Sequence, residues 1–348
     1  MTLNRIPIYI QETDQTSSDY DGRNIIRAAY VMTDLQLLND LRVILGARYE
    51  NTSMNVLSKD PNQINGRIET NNVLPSLNLV YSPVDNMNIR FAYGRTLARP
   101  TFREISPFTN YDFNGGDTYV GNPDLNITLI NNYDLRWEWF SKPGEVFAVS
   151  FFFKDFSNPI ELKIHDAVNN VLTWVNVPRA AVRGIEFEIR RNLSAVYDVL
   201  KNFTVGSNFS YIQSFVDIDS EELASIKVYD SNASGTRQFQ GQSPFIVNFY
   251  LNYDNPAQGW NANLYYNVFG KRLSTVGSVG SPDVYEKPFN MLNLSVSKKI
   301  MQNISIKISA ANILNSSVVK VQEFKGREYI YQSYRRGSSV SAEIKYNL

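Results

Sequence analysis

The 348-residue chain has no cysteine and only one histidine, His165. The first absence excludes disulfides, thiolate metal sites and cysteine nucleophiles. The second leaves a Ser/His/Asp hydrolase a single possible base, and His165, in Lys163-Ile164-His165-Asp166 within a polar connection, reads as a surface residue. No phosphate loop, dinucleotide fingerprint or His/Cys metal spacing occurs, so no enzyme and no cofactor is expected. The 34 basic and 34 acidic side chains cancel, which leaves no net field to draw nucleic acid. No apolar run approaches the roughly 18 residues of a spanning helix, which excludes a helical membrane protein. The opening residues 1–22 turn polar after MTLNRIPIYI, and no signal peptide is expected in them.

What the chain has instead is alternation. Residues 133–140 set Tyr133, Leu135, Trp137 and Trp139 against Asp134, Arg136 and Glu138. Comparable period-two segments start near Ile25, Asp40, Leu74, Met87, Leu129, Glu145, Ala181, Phe203, Pro244, Trp260, Asn290, Ile304 and Gly337. They are about 9 to 11 residues long, the length of a tilted membrane strand. Thirteen strands and almost no helical periodicity predict an all-β, antiparallel up-and-down fold.

The connections choose between core and lipid. Short links near 34–39, 83–86, 141–144, 193–202, 254–259 and 300–303 alternate with long polar ones near 52–72, 98–127, 157–179, 216–242, 272–288 and 313–335. A transmembrane barrel has this asymmetry of turns and outer loops, and a soluble sandwich has no reason for it. Tyr81, Trp139, Phe140, Tyr253 and Trp260 gather near the short links, as an interfacial girdle would. Arg42, Arg90, Asp134, Arg136, Glu138, Glu186, Glu188 and Arg190 then face a polar lumen. The localisation expected is the outer membrane of a Gram-negative-type bacterium, with membrane lipid as a partner.

Residues 87–140 resemble the barrel of TonB-dependent outer-membrane receptors. The matching stretch runs from Met87 through Arg95, Arg99 and Pro100 to Phe102-Arg103-Glu104, then Gly121-Asn122-Pro123-Asp124-Leu125 and Asn132-Tyr133-Asp134-Leu135. Leu74 to Leu79 and Ala180 to Glu188 are similar to the same family. Two departures are Asn126-Ile127-Thr128, where the family usually has Lys-Pro-Glu, and Leu348, where it usually ends in an aromatic. The resemblance implies about 13 strands of a larger, about 22-stranded barrel, because closure of an antiparallel sheet needs an even count. Residues 1–22 are then part of an extracellular loop and residues 23–348 the C-terminal barrel portion, without the plug domain.

The resemblance further implies uptake of a scarce nutrient, a metal chelate, glycan or peptide. The remaining N-terminal barrel and plug of the parent receptor are implied partners, with TonB reached only through that plug. Ligand contacts are expected from the loop residues Phe108, Tyr111, Phe113, Tyr119, Trp174, Tyr229, Tyr329 and Tyr331. Two acidic clusters, Asp14, Asp19 and Asp21, and Asp217, Asp219, Glu221 and Glu222, lack the glycine-punctuated spacing of a calcium loop, and solvated acidic loops are expected. A self-sufficient porin or adhesin and a soluble all-β carbohydrate-binding protein are the competing readings.

Overall fold

The computed structural model describes residues 19–112, 116–218, 220–228, 231–278 and 281–346. Phe113, Tyr229, Asp14 and Asp219 lie outside them, as does the side chain of Glu221.

The alternating segments form one antiparallel meander. Its strands are β1 (Tyr20–Leu38), β2 (Leu41–Ser58), β3 (Gly66–Val84), β4 (Met87–Ala98), β5 (Thr128–Trp139), β6 (Val146–Ser157), β7 (Arg179–Asn192), β8 (Phe203–Asp217), β9 (Phe245–Asn255), β10 (Trp260–Phe269), β11 (Phe289–Met301), β12 (Ile304–Ala311) and β13 (Ser339–Tyr346). Each pairs with its neighbours in chain order, and Thr236–Arg237 adds a short rung to β8. Among the described residues β1 pairs only with β2 and β13 only with β12, so the sheet has two edges.

Pairing places alternate residues on opposite faces. Tyr133, Leu135 and Trp139 stand opposite Phe153, Phe151 and Phe147, and all six are exposed. Tyr93, Tyr133 and Phe153 form a continuous aromatic row on this apolar face, with ring centroids 5.1 and 6.1 Å apart. Near the tight turns Tyr81, Trp139, Phe140 and Trp260 are also exposed, and Tyr253 packs on Phe203 at 4.9 Å. Gly144 and Gly259 take positive φ in two of these turns, at 82° and 69°, a conformation that favours glycine.

Two features differ from the sequence expectation. Residues 52–72 are not a long polar connection, since β2 and β3 run on to Ser58 and from Gly66, leaving only residues 59–65 as a link. The reason is a change of phase. Along β2 the exposed positions Leu45 and Tyr49 lie on the apolar face, but farther on the buried side chains are Thr52, Met54 and Val56, on the other face. The alternation thus inverts and reads as noise.

The other long connections are not irregular either. Strands Thr109–Tyr111, Thr118–Val120, Val171–Asn176 and Ile160–Asp166 make one four-stranded sheet, and Arg272–Thr275, Val284–Glu286, Ser317–Phe324 and Arg327–Arg335 make a second. Their ladders are too short to register as alternation. Backbone bonds between Ile164 and Val276 and between Val276 and Leu162, of 2.9 and 3.0 Å, join the two sheets into one outer layer.

Candidate functional site

The polar face of the meander carries a charge ladder. Glu138 is buried and bonds Asn88 at 3.2 Å, Arg90, and Arg136 at 3.0 Å. Arg136 continues to Ser150 at 3.1 Å and to Glu188 at 2.6 Å. Opposite charges recur across β4, β5 and β7, so the guanidinium groups are compensated laterally rather than by water alone. Asp134, Glu186 and Arg190 are exposed on the same face, with Glu186 accepting from Ser210 at 3.2 Å. Arg42 there pairs with Asp34. Farther along, Asn248 bonds Asn267 at 2.6 Å and Asn252 bonds Asn263 at 2.7 Å, so the ladder becomes uncharged.

Above this face the resemblance residues fold the described residues between Arg99 and Ile127 into a compact cap. Arg99 forms an ion pair with buried Glu50 and donates to Thr52 at 3.0 and 3.1 Å. Pro100 is buried beside it. Thr101 and Glu104 form a reciprocal capping box on the one-turn helix Phe102–Ile105, each bonding the other's backbone N–H at 2.7 and 3.3 Å, which fixes the helix start. Phe102 and Ile105 then cover Met54, Val56 and Ile68, with Ile127 completing the cluster. This cover is why the buried side of β2 and β3 turns apolar there.

Gly121 follows from close approach. A Cβ at this position would lie 1.8 Å from the Ser106 carbonyl oxygen and 2.7 Å from that of Arg103. Asn122 donates its backbone N–H to Glu104 at 2.7 Å, its side-chain amide to Trp174 at 2.9 Å, and accepts from the Asp124 N–H at 3.0 Å. Pro123 sits inside this turn, and Leu125 is buried behind it. Asn126, one of the departures, exchanges bonds with Asn176 at 2.7 and 3.1 Å, tying the cap to the next connection. Gly121→Ala is expected to push the cap off the ribbon. Protease cleavage within residues 99–127 should accelerate at least about ten-fold, while heat-modifiable migration of the barrel is retained.

The loop aromatics divide into two groups. Arg103 lies over Tyr119 and Trp174 at 4.8 and 5.8 Å, and those rings are 5.8 Å apart, a triangle of two cation–π contacts and one ring–ring contact. Tyr331 donates to Asp117 at 2.6 Å and packs on Ile164, Leu172 and Val284. Its burial, and then the Asp117 carboxylate, push the phenol well above its ordinary range. Tyr119, Trp174 and Tyr331 therefore hold the layer together. Tyr111 and Tyr329 are each 52% exposed, and Phe108 packs on Tyr20 with centroids 6.2 Å apart.

The layer also contains a buried ion cluster with no local sequence signature. Arg237 bonds both oxygens of Glu161, at 3.0 and 2.6 Å, and Glu222 at 2.5 Å. Glu161 also accepts from the Gln240 N–H at 3.0 Å, and Lys163 approaches Glu222 to 3.5 Å. Burial disfavours the guanidinium charge, but the carboxylates outweigh it and hold Arg237 above its ordinary value. Glu222 thus belongs to this cluster, while Asp217 is exposed. His165 is exposed and lines a cleft of about 510 Å³ together with Lys163, Asp166, Glu222 and Asp283.

Residues 3–315 match the family described as TonB dependent receptor-like, beta-barrel. The chain belongs to this family. The TonB-dependent receptors are outer-membrane proteins of Gram-negative bacteria and are not enzymes. The ferrienterobactin receptor of Escherichia coli K12 is 23% identical over 258 residues, which are 70% of this chain and 32% of that protein. The probable hemoglobin and hemoglobin-haptoglobin-binding protein 4 of Haemophilus influenzae is 24% identical over 204 residues, 55% of this chain and 18% of that protein. Among solved structures, the ferric-catecholate import receptor Fiu of Escherichia coli K12 superposes with a TM-score of 0.66 at 12% identity, covering 98% of this chain and 47% of that one. The siderophore receptor PirA of Acinetobacter baumannii gives 0.59 at 16% identity, over 93% of this chain and 46% of that one. At these identities the structures share the barrel fold. The chain spans a third or less of the curated relatives and about half of the solved ones.

Proposed function

We propose that the chain forms the C-terminal wall and much of the outer-loop layer of a receptor that takes up a metal chelate through the outer membrane. The apolar face meets lipid, and the charge ladder faces the lumen. The two sheet edges, β1 and β13, are where the remaining N-terminal barrel strands would pair, since an unpaired strand edge in hydrocarbon is strongly disfavoured. A plug inside the completed barrel, contacted by TonB, would supply the energy coupling. The observation that carries this reading is the construction of the loops. They form a folded roof over a polar wall, held by Arg103, Tyr119, Trp174 and Tyr331, with other aromatics left exposed.

In this reading Tyr111 and Tyr329 contact the ligand, whereas Tyr119, Trp174 and Tyr331 position the loops. The choice of a metal chelate over a glycan or peptide draws on the relatives that are receptors for iron compounds. A passive porin is less well served by a tied-down loop roof, and a soluble lectin by an exposed aromatic face. The test is ferric tris-catecholate binding to the complete receptor, followed by fluorescence quenching. The double variant Tyr111→Ala and Tyr329→Ala is expected to weaken binding about ten-fold or more, as loss of two aromatic contacts should. Unchanged affinity would remove these residues from the site, and no binding by wild type would overturn the chelate reading.

A further inference from the structure

The polar face of the meander changes character at β8. Arg42, Arg90 and Arg136 on it each form an ion pair. Among the described residues Arg190 forms none, and Glu188, two positions away on its own strand, is engaged by Arg136. Across β8 to β10 the register sets no charge opposite it. One row runs Arg190–Gly206–Tyr250–Tyr265, and the next, toward the tight turns, runs Asn192–Thr204–Asn252–Asn263.

These two rows enclose a hollow of about 380 Å³, lined by Arg190, Thr204, Tyr250, Asn252, Asn263 and Tyr265. Gly206 gives it room. A Cβ there would overlap the Tyr250 ring, so glycine lets that ring lie across β8 with its hydroxyl end at Arg190. Tyr265 is exposed, and its ring centroid stands 6.1 Å from that of Tyr250. Asn252 donates to Asn263 at 2.7 Å and Asn263 to Asn261 at 2.7 Å, which orients both amides and leaves each a second N–H. Every lining side chain can donate a hydrogen bond, and none is an acid. The hollow lies just inside the tight turns, roughly 35 Å along β7 from the end of that strand that meets the loop layer.

We propose that this hollow binds an aromatic anion, a ring bearing a carboxylate or catecholate, and gives the chelate of the preceding reading a second contact on the wall, distant from the loops. The guanidinium offers paired N–H groups that match two anionic oxygens, and the tyrosines offer faces and edges to a ring. A peptide carboxylate would use the arginine and leave both rings idle. The physiological occupant rests on the chelate reading, while the chemistry of the hollow does not.

The test is photolabelling of the complete receptor with para-azidobenzoate and with its neutral counterpart para-azidobenzamide, the adducts being located by peptide mass spectrometry. Wild type is expected to take the carboxylate on the peptides of Tyr250 and Tyr265 at least about ten-fold more than the amide, the weight of a hydrogen-bonded charge. Arg190→Gln should abolish this preference and Arg190→Lys keep part of it, whereas Arg42→Gln should leave it unchanged, because Arg42 is already paired with Asp34. Equal labelling by the two probes in wild type, a comparison that needs no variant to fold, would overturn the proposal. So would a preference that survives Arg190→Gln, or wild type left unlabelled at these peptides, as a plug carboxylate on Arg190 would cause. Labelling as expected in a receptor that does not bind ferric tris-catecholate would remove the chelate reading and leave the aromatic-anion site in place.

Discussion

Replacing Arg237 with leucine is expected to destabilise the outer layer by about 3–5 kcal/mol, the usual consequence of removing one partner from a buried ion cluster. Glu161 and Glu222 are both buried, and Arg237 supplies three of the bonds that hold them. Without it two buried carboxylates lose their guanidinium, and Lys163, 3.5 Å from Glu222, and the Gln240 N–H on Glu161 replace only part of it. Hydrogen exchange should quicken in residues 160–176, 220–227 and 236–242, with the meander strands unaffected. Replacing all three residues by apolar ones of similar volume is expected to recover most of the loss, since a whole buried cluster can often be exchanged for packing. Exchange rates in Arg237→Leu that match wild type would show that the cluster contributes nothing to the layer.

Leu135→Arg should cost about 2–4 kcal/mol of barrel stability in a bilayer, the penalty for an arginine near mid-depth on the lipid face. Leu135 is 46% exposed and stands in register between Phe91 and Phe151. Asp134→Arg, one position along the same strand, is the matched comparison. It places the same side chain on the face that already carries Arg90, Glu138 and Glu188, and its effect should be under about 1 kcal/mol. Urea titration of refolding into vesicles reads both. Equal penalties at the two positions would mean that the faces are not divided between lipid and lumen.

The wall was legible because each strand repeats one rule over many residues. From Met87 to Phe269 the starts expected from alternation agree with those observed within a few residues, and the side of the sheet taken by Tyr133, Leu135, Glu138 and Arg136 follows from parity alone. Where the rule is modified by a covering element, as at Thr52, Met54 and Val56, parity inverts and a local reading sees only a polar stretch. The resemblance positions were visible as a motif, but not as a mechanism. That Glu104 closes a capping box, and that Gly121 lies against the Ser106 carbonyl, depends on contacts made across the cap. Arg237 left no trace, because Glu161 lies 76 residues away in the chain and nothing near either residue marks the other.

The hydrogen bond from Tyr331 to Asp117 joins residues 214 apart in sequence. Its consequence is one of timing. Contacts of such separation form late, since the loop-closure entropy must be overcome before they contribute. The cap at residues 99–127 can build locally as soon as β2 to β5 are paired, but its last fastening waits for the hairpin just before β13. The finished roof therefore reports on the whole length of the chain, and a receptor arrested partway through assembly would present its outer loops unlatched.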